Sequence, residues 1–156
     1  MKFFTILFTC LFINLSAQEP TCYHHDQGTT REKNIKPYDL VLEVRLKEKE
    51  GKVEGKANYK FVNLRKEIDS FFFDAIKFNV NSITINKETV QFRTDSAGIT
   101  VYLPESRPDT NTMVIDYSCH PQRGMYFLNW NNPNTKAYRQ IWTQGQGIDN
   151  RHWIPM

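Results

Sequence analysis

The sequence predicts an all-β fold, an antiparallel β-sandwich, for the chain from residue 37 onward. Apolar and polar residues alternate along several segments, which is the period of a half-buried strand. Turn residues separate these segments at a spacing of roughly ten residues, and no segment shows the apolar period of an amphipathic helix. Short alternating strands with regular turns are typical of two packed antiparallel sheets.

The first two predicted strands form a long antiparallel hairpin between Tyr38 and Phe61. In the first strand, apolar and charged residues take opposite sides: Leu40, Leu42, Val44 and Leu46 on one, and Asp39, Glu43, Arg45 and Lys47 on the other. Gly51 then begins a turn. The second strand alternates in the same way, with Val53, Ala57, Tyr59 and Phe61 on its apolar side. We therefore expect each strand to bury one face.

Shorter strands are predicted after the hairpin, because the same alternation recurs between turn residues. They are SFFFD around Phe72, SITIN around Ile83 and Ile85, TVQF around Val90 and Phe92, GITVYLP around Ile99, Val101 and Leu103, and TMVIDYS around Met113, Ile115 and Tyr117. The pair at 86–87 and the run from Asp95 to Gly98 supply the backbone freedom for tight reversals between them.

Residues 1–17 have the layout of a secretory signal peptide. One basic residue, Lys2, precedes an apolar run from Phe3 to Leu15, and cleavage is expected after Ala17. The run of about 13 residues is shorter than the roughly 20 that cross a bilayer, so no membrane span is predicted. We expect an exported protein, periplasmic or secreted, in which residues 18–36 form an irregular lead-in to one domain at 37–156.

Charge and cysteine content narrow the range of partners. The 20 basic and 17 acidic residues give a net charge of +3, too balanced to indicate nucleic acid or a membrane surface as partner. Two cysteines, Cys22 and Cys119, remain after the signal peptide. In an oxidising compartment they could form one disulfide or stay two separate thiols, and the sequence leaves both open.

The sequence contains no catalytic or metal-binding motif. A zinc peptidase of the gluzincin type needs His-Glu-x-x-His, because one helical turn then aims both imidazoles at one metal. The four histidines, which are His24, His25, His120 and His152, do not form it. Cys119 lies in no motif that lowers a thiol pKa, and no Gly-x-Ser-x-Gly elbow is present. We therefore predict no catalytic residue, metal ligand or cofactor in this chain.

The segment from Arg123 to Met156 differs in character from the rest of the chain. It contains three tryptophans, Trp130, Trp142 and Trp153, with several glycines and asparagines and no long alternation. Such a segment needs aromatic anchors to become ordered. Two interpretations stay open: a carboxy-terminal loop that packs on its own sandwich, or an aromatic surface that docks a partner.

Two glutamines in this segment are candidate binding residues. In the run QIWTQGQGIDNRHWIP, Gln144 and Gln146 flank one glycine, so an extended backbone would place both amides on the same side. An amide both donates and accepts hydrogen bonds, which suits a peptide terminus or carbonyl. Asp149 and Arg151 could form an ion pair that fixes the loop. Alternatively, all four polar residues serve only the loop backbone.

The run TQGQGIDNRHWIP resembles a motif of the aminopeptidase N family of zinc metallopeptidases, which reads Thr-Gln-x-Gln/Glu, a short spacer with Arg, and a hydrophobic residue before Pro. RGMYFLNW resembles the glycine-aromatic strand that precedes this motif, and the hairpin resembles the family's opening. The resemblance covers about Lys36 to Met156. It implies a saddle-like amino-terminal β domain in which Gln146, with Gln144 as neighbour, holds the amino terminus of a peptide substrate.

The resemblance also implies a missing partner. In that family a thermolysin-like catalytic domain follows and carries zinc on His-Glu-x-x-His, and neither occurs in this sequence. The chain is therefore predicted to be inactive alone, as the cleft-forming domain of a truncated or fragmentary secreted aminopeptidase. The alternative is a stand-alone exported β-sandwich module that binds a partner through its aromatic segment.

Overall fold

The computed structural model describes residues 33–156, which form ten β-strands and two short 3-10 turns. The strands are β1 (Ile35–Lys47), β2 (Lys52–Asn63), β3 (Ser70–Asp74), β4 (Asn79–Ile85), β5 (Glu88–Thr89), β6 (Phe92–Thr94), β7 (Gly98–Tyr102), β8 (Thr110–Cys119), β9 (Met125–Leu128) and β10 (Gln140–Thr143). The turns are Glu48–Glu50 and Asp149–His152. Every pairing is antiparallel, so the predicted all-β class is confirmed.

Several expectations fall on residues outside this range. The signal peptide, most of the lead-in, Cys22 and the histidine pair at 24–25 all precede residue 33. Within the described range, no helix is long and apolar enough to cross a bilayer.

The larger sheet has five strands in the order β1-β2-β8-β4-β5. β1 and β2 form the predicted hairpin, in which Leu42 lies opposite Ala57 and Leu46 opposite Val53. β8 is the central strand and pairs with β2 on one side and β4 on the other. Its inward side chains are fully buried, as the alternation predicted. β1 is consequently an edge strand.

The smaller sheet, in the order β3-β7-β6, packs on the larger one through aromatic rings. The ring centroids of Tyr59 and Phe73 are 5.0 Å apart, and those of Phe61 and Phe71 are 5.5 Å apart. One buried apolar cluster therefore joins both sheets, and it includes Val53, Ala57, Ile83, Ile85, Ile99, Val101, Met113, Ile115 and Tyr117. Two sheets sharing one core is the predicted sandwich.

Strand β1 is less buried than the alternation predicted. Leu42 and Leu46 pack against the core, but Leu40 and Val44 are each 41% exposed on the same side of the strand. The reason is position: β1 is the outermost strand of a five-stranded sheet, and the sheet packed against it has only three strands. An apolar alternation indicates which side faces the core but not whether the second sheet reaches that far.

The segment TVQF, predicted as one strand, is divided between the two sheets. β5 pairs with β4 in the larger sheet, and β6 pairs with β7 in the smaller one. The crossing lies between them, where the Val90 N–H donates to the Ile83 carbonyl and the Gln91 carbonyl accepts from the Tyr102 N–H. A strand that changes sheets keeps its alternation, so the sequence does not mark the division.

β9 and β10 form a separate two-stranded hairpin within the segment that shows no long alternation, and β9 lies in the run RGMYFLNW that resembled a strand of the family. Met125 and Thr143, and Phe127 and Ile141, are paired across the hairpin. Met125 is buried, and both Phe127 and Ile141 pack against the core, so this is the inner face. The alternate residues form the outer face, which carries Tyr126, Leu128, Gln140 and Trp142.

Candidate functional site

The two candidate glutamines lie on the loop that follows β10. The Gln144 backbone N–H donates to the Gly124 carbonyl at 2.9 Å, which extends the hairpin pairing by one bond. Gln146 lies in a bend two residues later, and both side chains are exposed. The structure thus places the two amides on one short loop. Because the backbone bends at Gln146, the rule that alternate residues of a strand share a side does not apply to them.

Two close backbone contacts fix the loop from behind. A Cβ built on Gly145 would lie 2.1 Å from Asn150 Oδ1, and one built on Gly124 would lie 2.5 Å from the Asp149 carbonyl oxygen. Gly124 also has a φ of +76°, which favours glycine. A side chain at Gly124 would clash with the Asp149 backbone, and one at Gly145 would displace the Asn150 amide, both of which belong to the Asp149–His152 turn.

The turn is held by Asn150 rather than by the ion pair that the sequence suggested. Within residues 33–156, no ion pair joins Asp149 to Arg151. Instead, the Asn150 carbonyl accepts from the N–H groups of Trp153 at 3.0 Å and Ile154 at 2.9 Å. Asn150 Oδ1 also accepts from Trp153 Nε1 at 3.2 Å.

Beyond the turn, the chain is tied to the core by backbone and tyrosine hydrogen bonds. The Tyr117 hydroxyl donates to the Trp153 carbonyl at 2.7 Å, and the Tyr59 hydroxyl donates to the Pro155 carbonyl. Asp74, at the end of β3, exchanges two backbone bonds with Met156, at 2.7 and 2.9 Å. Burial raises the pKa of both phenols, so each remains a neutral donor at physiological pH.

The three tryptophans of this segment have different environments. Trp153 packs against the core, which agrees with the interpretation of the segment as a loop on its own sandwich. Trp130 donates from Nε1 to the Gln140 carbonyl at 3.1 Å and lies 5.9 Å from the Arg139 guanidinium carbon. Trp142 is 41% exposed and stacks on Tyr126, with ring centroids 4.3 Å apart.

Trp142, which is exposed, and Tyr126, which is half-buried, therefore form an aromatic pair on the outer face of the β9–β10 hairpin. Leu128, 40% exposed, extends this face, and Ile148, 45% exposed, lies on the candidate loop. Trp142, part of this apolar face, precedes Gln144 by two residues in the chain. The second interpretation of the segment, as an aromatic docking surface, corresponds to this outer face alone.

The described residues offer no zinc site and no activated nucleophile. No group of three or more His, Cys, Asp or Glu that could hold a metal ion occurs between residues 33 and 156. Burial, followed by the charge of Arg151, lowers the pKa of His152, and Asp149 partly offsets this. Burial also raises the pKa of the Cys119 thiol to about 12, which keeps it protonated and unreactive.

Sequence reasoning missed the residues that hold the loop in place. Gly124, Gly145 and Asn150 act through backbone geometry, and Tyr59 and Tyr117 were predicted only as core residues. Their spacing to their partners along the chain carries no local signal. The glycines themselves were the one hint in the sequence, because a glycine next to a polar loop indicates either a turn or a close approach.

A family model describing the peptidase M1 N-terminal domain matches residues 34–156. The chain belongs to this family. The match covers most of the chain and includes the β9–β10 hairpin, the glutamine loop and the terminal proline. An M1 N-terminal domain is the amino-terminal part of a zinc metallopeptidase, which agrees with the resemblance found in the sequence. No curated protein sequence matches the chain.

Solved structures of M1 peptidases share the fold of this N-terminal domain. Native yeast LTA4 hydrolase has a TM-score of 0.66 and 16% identity over 78% of this chain and 20% of its own. An M1 zinc metallopeptidase mutant from Deinococcus radiodurans, bound to a Tyr-Ser-Ala substrate, has a TM-score of 0.60 and 15% identity over 79% of this chain and 29% of its own. The chain thus spans less than a third of the length of either structure.

Proposed function

We propose that this M1 N-terminal domain forms one wall of the substrate cleft of a zinc aminopeptidase and helps to hold the amino terminus of a peptide. The supporting observation is the loop at 144–147, which presents Gln144 and Gln146 to solvent from a backbone fixed on both sides. In this role Gln146 contacts the substrate and Gln144 lies beside it. The peptidase removes amino-terminal residues, and this domain supplies binding rather than chemistry.

The fixed loop matters because a binding group must be held in place before the substrate arrives. Each side chain that is ordered only on binding costs about 0.5–1.5 kcal/mol. Here the Gly145 contact with Asn150 and the bond from Gln144 to Gly124 order the backbone in advance. Less of the free energy of binding is then lost in ordering the loop when the peptide terminus binds.

The aromatic outer face supports docking of a catalytic domain beside the loop. Trp142 is exposed and stacks on the half-buried Tyr126, and large aromatic side chains on a surface are typical of interface centres. A domain bound there would approach the glutamine loop directly, because Gln144 follows Trp142 by two residues. We propose that the thermolysin-like domain of the family, which holds the zinc, is the missing partner and that this chain is inactive without it.

The role of Gln146 can be tested by joining this domain to the catalytic portion of a related M1 peptidase. We expect Gln146→Ala to lower kcat/KM for an aminoacyl reporter roughly 5- to 150-fold, because the substrate terminus loses a polar partner. This factor corresponds to a loss of about 1–3 kcal/mol in transition-state stabilisation. Gln146→Glu should retain most activity, since a carboxylate also binds an ammonium group. Asn134→Ala is the matched control, an exposed polar residue on the β9–β10 connection.

Equal effects of the alanine changes at Gln146 and Asn134 would contradict the proposed contact. In that case the alternative, a stand-alone binding module, would be favoured. A joined protein in which every variant, including the unchanged one, is inactive but folded would also count against the cleft-wall role.

Export is the second part of the proposal. It rests on the sequence from Lys2 to Ala17 and concerns residues outside the described range. The chain expressed in a bacterial host should be recovered from the periplasm or medium with Gln18 as its first residue by mass spectrometry. Recovery of the uncleaved chain in the cytoplasm would contradict export.

A further inference from the structure

We propose that the open edge of β1 pairs with the same edge of a second copy of this chain, antiparallel and centred on Leu42. β1 ends the five-stranded sheet, and among residues 33–156 it pairs with β2 alone. An edge strand leaves half of its backbone N–H and C=O groups available for a further strand. With 13 residues, β1 is much longer than the usual strand of about 5–6.

The protection that proteins give to such edges is present at only one end of β1. Proline, β-bulges and charges on the core side of a strand all discourage edge pairing. Pro37 and the register shift between Pro37 and Asp39 protect the start of the strand. From residue 39 to 47 the pairing with β2 is regular, and the core side carries only apolar side chains, of which Leu40 and Val44 are each 41% exposed.

The charges on the other side of β1 indicate which occupant fits. Around a two-fold axis at Leu42, Asp39 lies opposite Arg45 of the second copy, and the exposed Leu40 lies opposite Val44. Asp39 already contacts Lys60 at 3.0 Å, and Arg45 lies opposite Glu54 in β2. Across the joined sheets, Lys60 and Asp39 of one copy would be followed by Arg45 and Glu54 of the other. The charges in this row alternate in sign. The symmetry produces this row twice.

Neighbouring registers are less favourable. An axis at Val41 places Asp39 opposite Glu43, and an axis at Glu43 places that residue opposite itself, so both bring like charges together. An axis at Val44 pairs Glu43 with Arg45 but leaves Leu40 opposite Glu48, which lies beyond the strand. The axis at Leu42 alone combines opposite charges with contact between the two exposed apolar residues. This complementarity selects a second copy rather than an unrelated strand.

Charge reversal tests both the partner and the register. Sedimentation equilibrium of the purified full chain, from about 1 μM to 1 mM, should show a monomer–dimer equilibrium. Asp39→Arg and Arg45→Asp should each weaken the dimer by roughly tenfold or more, because each alone creates two like-charge pairs. An equimolar mixture of the two variants should recover dimer formation, since opposite charges then meet at both positions.

Matched variants separate edge pairing from general effects of charge. Arg93→Asp reverses an exposed charge on β6 and should leave the dimer unchanged. Val44→Lys should weaken it independently, because an ammonium group then lies opposite Leu40. A chain that stays monomeric over the whole concentration range overturns the proposal, even if another segment of the chain proves to cover the β1 edge. So does a dimer that both reversals leave intact, or a mixture of folded variants that fails to associate.

Discussion

Individual tyrosines carry much of the order at the carboxy-terminal end of the described domain. Tyr59 and Tyr117 lie in neighbouring strands of the larger sheet, and their hydroxyls reach carbonyls at Pro155 and Trp153. The glutamine loop packs on the same segment through Asn150. Two core residues thus help to hold the segment on which the exposed glutamine loop packs.

Removing one of these hydroxyls should loosen the segment. We expect Tyr117→Phe to lower the free energy of unfolding by about 1–2 kcal/mol, because the part-buried Trp153 carbonyl loses its donor. Urea denaturation measures the change, and amide exchange should show lost protection near Trp153. Tyr102→Phe, at a 40% exposed residue, is the control and should cost less than about 0.5 kcal/mol. Equal losses for the two variants would contradict this assignment.

For individual residues, the sequence revealed the candidate glutamines but not the contacts that hold their loop in place. Gln144 and Gln146 are recognisable because their motif is contiguous. The contact between Tyr59 and Pro155 joins residues 96 positions apart, and no local pattern records such a separation. The expected ion pair of Asp149 and Arg151 is replaced by backbone bonds to Asn150, because a 3-10 turn satisfies its own carbonyls at short range.

Among the secondary-structure elements, the β9–β10 hairpin has two faces with different roles. Its inner face packs on the core, and its outer face presents the stacked Tyr126 and Trp142. The interpretation of the aromatic segment as a loop on its own sandwich therefore describes the inner face, whereas docking through the outer face stays a prediction.

The outer face should bind hydrophobic dye when the domain is alone. The double change Tyr126→Ser with Trp142→Ser should remove roughly half or more of the fluorescence of a bound anilinonaphthalene dye, because it deletes the aromatic stack on the outer face. Tyr138→Ser is the control, since Tyr138 is 85% exposed but is not part of the pair. Dye binding that all variants share equally would show that another surface is responsible.

The sequence predicted those strands in which one side is buried and the other is exposed to solvent. β2, β4, β7 and β8 show this alternation and were predicted. β9 reads MYFL, apolar at all four positions, so its period could not be recognised. β1 alternates as well as any strand, yet two apolar residues on its core side, Leu40 and Val44, are exposed, because the extent of the opposite sheet is a tertiary property.

For the whole molecule, the sandwich class followed from periodicity, whereas the order of strands did not. β8 lies between β2 and β4, and β7 lies between β3 and β6, so sequence neighbours are often not neighbours in a sheet. This order depends on pairings between distant segments. The matched family and the solved structures provide it independently of the alternation.

The buried acids of the core predict a loss of stability at alkaline pH. Burial raises the pKa of Cys119 to about 12 and raises those of Tyr59 and Tyr117 above their ordinary 10.0. The unfolded chain releases these protons first, so their contribution is complete below about pH 9 and is lost as pH rises toward the folded values. Urea denaturation under reducing conditions should show unfolding free energy falling between pH 9 and 10.5. A constant or rising value would contradict this.

The central claim is that this domain completes an aminopeptidase without being one. The most direct measurement is hydrolysis of an aminoacyl reporter by three samples: this domain alone, the catalytic portion of a related M1 peptidase alone, and the two joined. The account predicts no turnover by the first, little by the second, and zinc-dependent release of the amino-terminal residue by the third. Turnover by the purified domain alone, or equal activity of the catalytic portion with and without it, would contradict the account.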